Sequence, residues 1–279
     1  MKTIEIQKVD LASFCYLDNS RYPFLLESVN HNDNNRYSIL FAFPGENIVL
    51  NNASDFDFLN KLESKYKLNN TNSDLPFCGG WFVYLSYELI GQIENTLSAD
   101  LHNSDLPIAY AVKIPTAIII DHQLDKTYIV DESDDDSRIN LILDDIKLIT
   151  PIPLSPLEGS LSEENQEKFI SGVQSSLKYI IAGDVFQVNL SREWQYKLNN
   201  HEDSAAIYKS LKKANPAPFS ALIHYQDFSI ISSSPERLFS VNNDVLQTRP
   251  IAGTHPRGKG SDDETLRDNL ISNPKEIAE

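Results

Sequence analysis

From Arg36 to Asp131 the chain repeatedly gathers β-branched and aromatic residues into short runs and then breaks them with Asn, Gly, Pro or Asp. The runs are "RYSILFAF", "NIVLNN", "GGWFVYLSYEL", "AYAVKIPTAIIID" and "KTYIVD". Such runs read as strands, because β-branched and aromatic side chains suit a pleated surface and the breakers supply turns. None approaches the roughly 20 apolar residues that a membrane-spanning helix needs. One interruption has helical spacing: "SDFDFLNKLESKYKL" sets Phe56, Leu59, Leu62 and Tyr66 on one face.

A change of character follows "TPIPLSPLEGS" (150–160), whose three prolines make it the best linker in the chain. Beyond it, "SEENQEKFISGVQSSLKYIIAGD" predicts a long helix with Ser162 as cap and acids in the first turn. Its expected buried stripe is Phe169, Val173, Leu177 and Ile181, and Gly183 is its expected end. "VFQVNLSREWQYKL" alternates like a strand and "EDSAAIYKSLKKAN" predicts a second helix. "FSALIHYQ", "FSIISSSP", "RLFSVNND" and "VLQTRP" then read as strands of an antiparallel sheet. The expected division is residues 1–155 and 156–279.

A chain of 279 residues suits one large domain or two smaller ones. With 41% hydrophobic and 23% charged residues it has the composition of a soluble globular protein. Its net charge of −16 argues against a nucleic-acid binder, since phosphate contacts need a basic surface. Part of the acid lies in "DESDDDSR" (131–138), read as a solvated loop. Cys15 and Cys78 have no ligand-type spacing and read as reduced core thiols. "MKTIEIQKVD" has no apolar h-region, so a cytoplasmic location and no membrane attachment are expected.

"QTRPIAGTHPRG" (247–258) is stiffened by two prolines and opened by two glycines. Pro250 fixes its own φ and pushes Arg249 toward extended backbone. Gly253 allows close approach, and Thr254 adds a hydroxyl and an N–H beside it. Such a turn suits a carboxylate or a polar ring substituent, or a plain turn at a sheet edge. Near the C-terminus Asn273, Pro274 and Glu276 signal the start of a helix, yet the sequence ends at Glu279. The expectation is a truncated chain whose fold continues.

"GDVFQVNLSR" (183–192), "SSSPERLF" (232–239), "TRPIAGTHPRG" and "NPKEIAE" (273–279) stand in an order and spacing that resemble the chorismate-utilising enzymes. That family includes component I of anthranilate synthase and of aminodeoxychorismate synthase, and the isochorismate and salicylate synthases. The resemblance is diffuse before residue 155 and dense from about 165 onward. It implies an α+β fold with antiparallel sheets packed as a sandwich and helices outside. It makes Glu236 the general acid that protonates the departing C4 hydroxyl, a role that needs burial or a negative neighbour. Gly253 and Thr254 become the substrate-binding pair, and Glu279 with Glu276 become ligands of Mg²⁺. Gln187 stands where the water-using members carry a lysine base, which implies ammonia as nucleophile. Ala252 stands where many aminodeoxychorismate synthases carry a nucleophilic lysine.

Ala252 leans toward anthranilate synthase. "NPAPFSALI" (215–223), Asn189 and the short approach to "RYPFLLES" lean toward aminodeoxychorismate synthase, the preferred reading. "LLES" (25–28) matches a tryptophan pocket in which Ser28 meets Pro218, Phe219 and Ser220, with Arg36 and Tyr37 closing it. The implied partners are chorismate, ammonia from a glutamine amidotransferase subunit, and bound L-tryptophan. Because part of the family's site is expected beyond residue 279, the chain alone is expected to be inactive. A tryptophan-binding or partner-docking fragment is the reading from another class.

Overall fold

The computed structural model describes residues 1–29, 35–51, 57–65, 73–94, 96, 106–200, 203–242, 244–251, 253, 255–256, 260 and 262–278. The elements run β1 (Lys2–Ile6), α1 (Leu11–Leu17), β2 (Phe24–Glu27), β3 (Tyr37–Ala42), β4 (Asn47–Leu50), α2 (Phe58–Lys65), β5 (Gly80–Leu85) and α3 (Ile90–Ile93). They continue with β6 (Ala109–Ile114), β7 (Thr116–Asp121), β8 (Lys126–Asp131), α4 (Ser137–Leu148), β9 (Gly159–Glu163), α5 (Gln166–Ala182), β10 (Trp194–Leu198) and α6 (Ser204–Ala214). β11 (Phe219–Tyr225), β12 (Phe228–Ser234), β13 (Ser240–Asn242), β14 (Val245–Gln247), α7 (Asp263–Ser272) and α8 (Pro274–Ala278) complete the order.

The strands form antiparallel sheets. A seven-stranded sheet has the order β1-β8-β7-β3-β2-β11-β12, and a three-stranded sheet the order β4-β6-β5. The two face each other across Phe24, Phe41 and Ile223 from the larger sheet and Phe82, Tyr110 and Val112 from the smaller. Phe24 stacks on Phe82 with centroids 4.0 Å apart, so aromatic packing joins the layers. The opposite face of the large sheet is covered by α1, α4 and α6 through Phe14, Ile139, Ile142 and Tyr208. This is the expected sandwich with outer helices. β11 and β12 pair onto β2, so the large sheet draws strands from both sides of the proline-rich stretch, which has no regular structure up to β9.

Several expectations change in detail. The helix after the linker begins at Gln166, and Asn165 caps it by accepting from the Glu167 N–H. Ser162 lies in β9 instead, where it pairs with Gln195 of β10. Gly183 ends the helix in the left-handed region at φ 81°, as its lack of Cβ allows. The expected strand from Val185 is regular only from Trp194, the point at which β9 supplies a ladder partner. In α2 the anchor is Phe58, which is buried, while Leu59 is exposed; Phe56 and Tyr66 lie outside the described residues.

The acid run is not uniformly solvated. Asp131 ends β8 fully buried, held by Arg138 at 2.7 and 2.8 Å and by the Thr116 hydroxyl at 2.6 Å. Burial pushes its carboxyl up, but hydrogen bonds from Arg138, Thr116 and Ser133 outweigh that and hold it well below the usual range. Both cysteines are buried and free. No described helix is long and apolar enough to cross a membrane.

The core is unevenly distributed. None of the described residues between 153 and 203 is buried, and from 224 onward only Leu266 is. The apolar stripe of α5 exists but is not buried: Leu177 is 54% exposed and Ile181 86%. Among the described residues, none buries it.

Candidate functional site

β2 runs antiparallel to both β3 and β11, so the end of β2 and the starts of β3 and β11 lie at one edge of the sheet. A cavity of about 290 Å³ opens there. All six residues assigned to the tryptophan pocket line it: Ser28, Arg36, Tyr37, Pro218, Phe219 and Ser220. Leu26, Glu27, Asn35, Ile39 and Ala221 complete the wall, and the surface is mainly apolar. Ser28 and Ser220 are 192 residues apart in sequence (220 − 28), and the pairing of β2 with β11 brings them together.

Hydrogen bonds set the shape of the wall. The Ser28 hydroxyl donates to the Tyr37 carbonyl at 2.9 Å, and the Ser28 N–H donates to the Ser38 hydroxyl at 3.0 Å. Ser38 Oγ lies 2.7 Å from His122 Nε2. The Val29 N–H reaches the Ala217 carbonyl at 3.1 Å, which joins the "LLES" end to the "APFSA" turn. Arg36 grips Asp121 through two bonds of 2.9 and 2.6 Å and lies 4.8 Å from the centre of the Tyr37 ring. That grip holds the Asp121 carboxyl below the usual range. The guanidinium therefore stiffens Tyr37 and is already neutralised.

Glu27, on the same wall, was not singled out in the sequence. Its carboxylate accepts from Tyr208 at 2.8 Å and from Lys212 at 2.9 and 3.0 Å, both from α6. Burial, with the Glu27 charge beside it, pushes the Tyr208 hydroxyl far above its ordinary value. The signal existed in the acid of "LLES" and the i,i+4 pair Tyr208 and Lys212, but only packing of α6 on the sheet shows that they meet.

The residues assigned to the reaction stand elsewhere. Glu236 follows β12 on an exposed loop, its N–H donating to the Ser234 hydroxyl at 3.3 Å. Gln187 lies exposed in the stretch between α5 and β10. Gly253 and Glu276 are brought together: a Cβ added at Gly253 would overlap the Glu276 carboxylate. Absence of a side chain at 253 is thus what lets Glu276, in the first turn of α8, sit against the turn. Ala252, Thr254 and Glu279 lie outside the described residues. Glu276 offers the oxygen donor that Mg²⁺ selects. Among the described residues, however, no group of three or more His, Cys, Asp or Glu is placed to hold a metal ion.

The model of the chorismate binding enzymes matches residues 21–279, and the chain belongs to that family. It is 31% identical over 271 residues to the anthranilate synthase component I-like protein of Synechocystis, covering 93% of this chain and 55% of that one. It is 35% identical over 223 residues to aminodeoxychorismate synthase component 1 of Bacillus subtilis, covering 75% and 47% respectively. The chain thus spans about half the length of these curated relatives. The crystal structure of anthranilate synthase component I from Streptococcus pneumoniae shares the fold, with a TM-score of 0.70 and 24% identity, covering 90% of this chain and 60% of that one.

Proposed function

We propose that this chain is the chorismate-handling part of the aminase component of 4-amino-4-deoxychorismate synthase. The observation that carries the reading is the cavity wall: the "APFSA" segment, residues 217–221, which resembles aminodeoxychorismate synthases, packs directly on "LLES". The 35% identity to the Bacillus subtilis enzyme supports it. In this reading ammonia from a glutamine amidotransferase subunit adds at C2 of chorismate, and Glu236 protonates the leaving C4 hydroxyl. A second ammonia then adds at C4, the double bonds shift and the C2 amine leaves as ammonia, which yields 4-amino-4-deoxychorismate, a precursor of p-aminobenzoate and folate. Gln187, having no basic nitrogen, leaves water unactivated. Gly253 and Thr254 hold the substrate's carboxylate or a polar substituent on its ring. Glu276, with Glu279 three residues later in the sequence, would hold Mg²⁺, which supplies charge neutralisation at that carboxylate when bound. The edge cavity takes L-tryptophan.

Anthranilate synthase component I is the second reading, favoured by Ala252 and by the Synechocystis relative. The two make different products from the same reactants. Chorismate, Mg²⁺ and an ammonium salt are supplied to the chain joined to the remainder of the family fold. Anthranilate fluorescence without added lyase overturns the proposal. p-Aminobenzoate formed only after addition of aminodeoxychorismate lyase supports it. Turnover by the 279-residue chain alone would show that no further segment is required.

A further inference from the structure

The edge cavity closes where the ladder between β2 and β3 stops. Leu26 and Ile39 are its last register pair, and Ser28 lies one residue beyond β2. The Ser28 N–H meets a side chain instead of a backbone carbonyl, the Ser38 hydroxyl at 3.0 Å. Ser38 is fully buried, and its oxygen also stands 2.7 Å from His122 Nε2. A backbone N–H can only donate, so Ser38 keeps its own proton for Nε2. The donor chain thus runs from Ser28 N–H to Ser38 O–H to His122 Nε2, which sets the neutral ring with its proton on Nδ1. His122 follows β7, is half-buried, and donates its backbone N–H to the Arg36 carbonyl at 2.9 Å. The charged groups around it are Asp121 and Asp125 from its own turn, Arg36 just before β3 and Lys8 ahead of α1. Arg36 is taken by Asp121, and Lys8 by Asp125 at 2.6 Å. The Lys8 ammonium, and behind it His122, hold the Asp125 carboxyl below its usual range. Asp125 therefore attracts a proton to the ring, while the Ser38 hydroxyl resists one.

We propose that His122 is a positioning residue for the edge cavity, acting through Ser38 on Ser28: the neutral ring sets the wall, and a proton taken up from solvent releases it. On protonation Nε2 turns from acceptor to donor. The Ser38 oxygen then faces two N–H groups, and its own proton is left without an acceptor in a fully buried position. A stranded buried donor is costly, so the hydroxyl must turn. It cannot turn without disturbing the Ser28 N–H that it accepts. Ser28 in turn holds the Tyr37 carbonyl through its hydroxyl, and the next N–H, from Val29, holds Ala217 of the "APFSA" turn. The disturbance thus reaches the β2, β3 and β11 sides of the cavity together. Since the wall needs the neutral ring, its order is complete above the range in which histidine titrates and is lost as pH falls through it. The consequence for affinity rests on the reading of the cavity as an L-tryptophan site; the link from His122 to Ser28 does not.

The test uses the full 279-residue chain, isotope-labelled for NMR and taken from about pH 7.5 to about pH 5.5, a window that spans histidine titration. The Ser28 amide resonance should follow the titration of the His122 ring. Its hydrogen exchange, corrected for the intrinsic effect of pH, should quicken at least about tenfold at the lower pH. Calorimetry with L-tryptophan, which keeps the same charges across this window, should show affinity at least about fivefold weaker at the lower pH. His122→Gln supplies an amide oxygen that accepts from Ser38 and takes no proton, so its affinity should be the same at both pH values. Ser38→Ala cuts the link and should bind weakly at both, with circular dichroism confirming that each variant is folded. Three results overturn the proposal. One is a His122 ring that takes up no proton in this window. Another is a Ser28 amide that ignores the titration of the ring. The last is a His122→Gln or Ser38→Ala chain that keeps the native pH dependence. A Ser28 amide that follows the ring in a chain that takes up no tryptophan at either pH supports the link and overturns only the reading of the ligand.

Discussion

Replacing Lys212 with Met tests whether the wall of the edge cavity depends on α6. In the native protein Glu27 and Lys212 side chains are only 14% and 19% exposed, and they meet at 2.9 Å. Removing one member of a buried pair costs about 3–5 kcal/mol, because the other charge stays buried without its partner. Here the cost is reduced, since the Tyr208 hydroxyl still donates to Glu27, a charge-assisted bond that contributes about 1.5–3 kcal/mol. The expected destabilisation is therefore about 2–3 kcal/mol, or a fall in Tm of roughly 5–10 °C. Met preserves the aliphatic stem, so lost packing contributes little. Thermal and urea unfolding by circular dichroism would measure it. The double substitution Lys212→Met with Glu27→Gln should recover part of the loss, because Gln still accepts from Tyr208 while no charge is stranded. A loss below about 0.5 kcal/mol would place the pair among surface ion pairs and refute the reasoning. The same variants titrated with L-tryptophan should bind more weakly, since Glu27 lines the cavity.

Leu26→Glu puts a charge on the apolar lining at a position that already reaches solvent; calorimetric tryptophan binding should weaken at least about tenfold while stability changes by no more than about 0.5 kcal/mol. Gly253→Ala forces the Glu276 carboxylate away from the turn; in the completed enzyme turnover should fall about 100-fold, the usual effect of ångström-scale misplacement, with Tm unchanged. Asp121 and Asp131 both have carboxyls held below the unfolded value of about 3.9, so their stabilisation is complete well above that pH and lost as pH falls through the lowered values. Urea midpoints should therefore drop progressively below about pH 5, and Arg138→Met should flatten that drop; a midpoint that stays level down to pH 3 would contradict both ion pairs.

Much of this fold was legible because local signals and tertiary partners agreed. The runs around β3, β5, β6, β7 and β8 are apolar or alternating, and each found a neighbouring strand. Asn273 and Pro274 marked the start of α8, and Gly183 the end of α5, because caps are decided by a few adjacent residues. Ser162 misled because it has the chemistry of a cap, yet β10 lay within reach to claim it for a strand. Asp131 misled because a run of acids reads as solvated until Arg138 and Thr116 are seen around one member. That residues 28 and 218 line one cavity was legible only through family resemblance, since nothing in the residues themselves links the two positions.

By itself, then, the amino-acid order determined most of the strands and helices, the end of α5 at Gly183, the start of α8 at Pro274 and the acidic net charge, and its motifs placed the chain near the chorismate binding enzymes. These follow from side-chain periodicity, local backbone preference and net charge, all written within a few residues or summed over all of them. Only the tertiary structure decided that α6 anchors Glu27 at the cavity, that Gly253 makes room for Glu276, and that the described residues leave the apolar stripe of α5 exposed. Each depends on which distant surfaces meet. Periodicity shows that a face is apolar; only the packed chain shows whether anything lies against it.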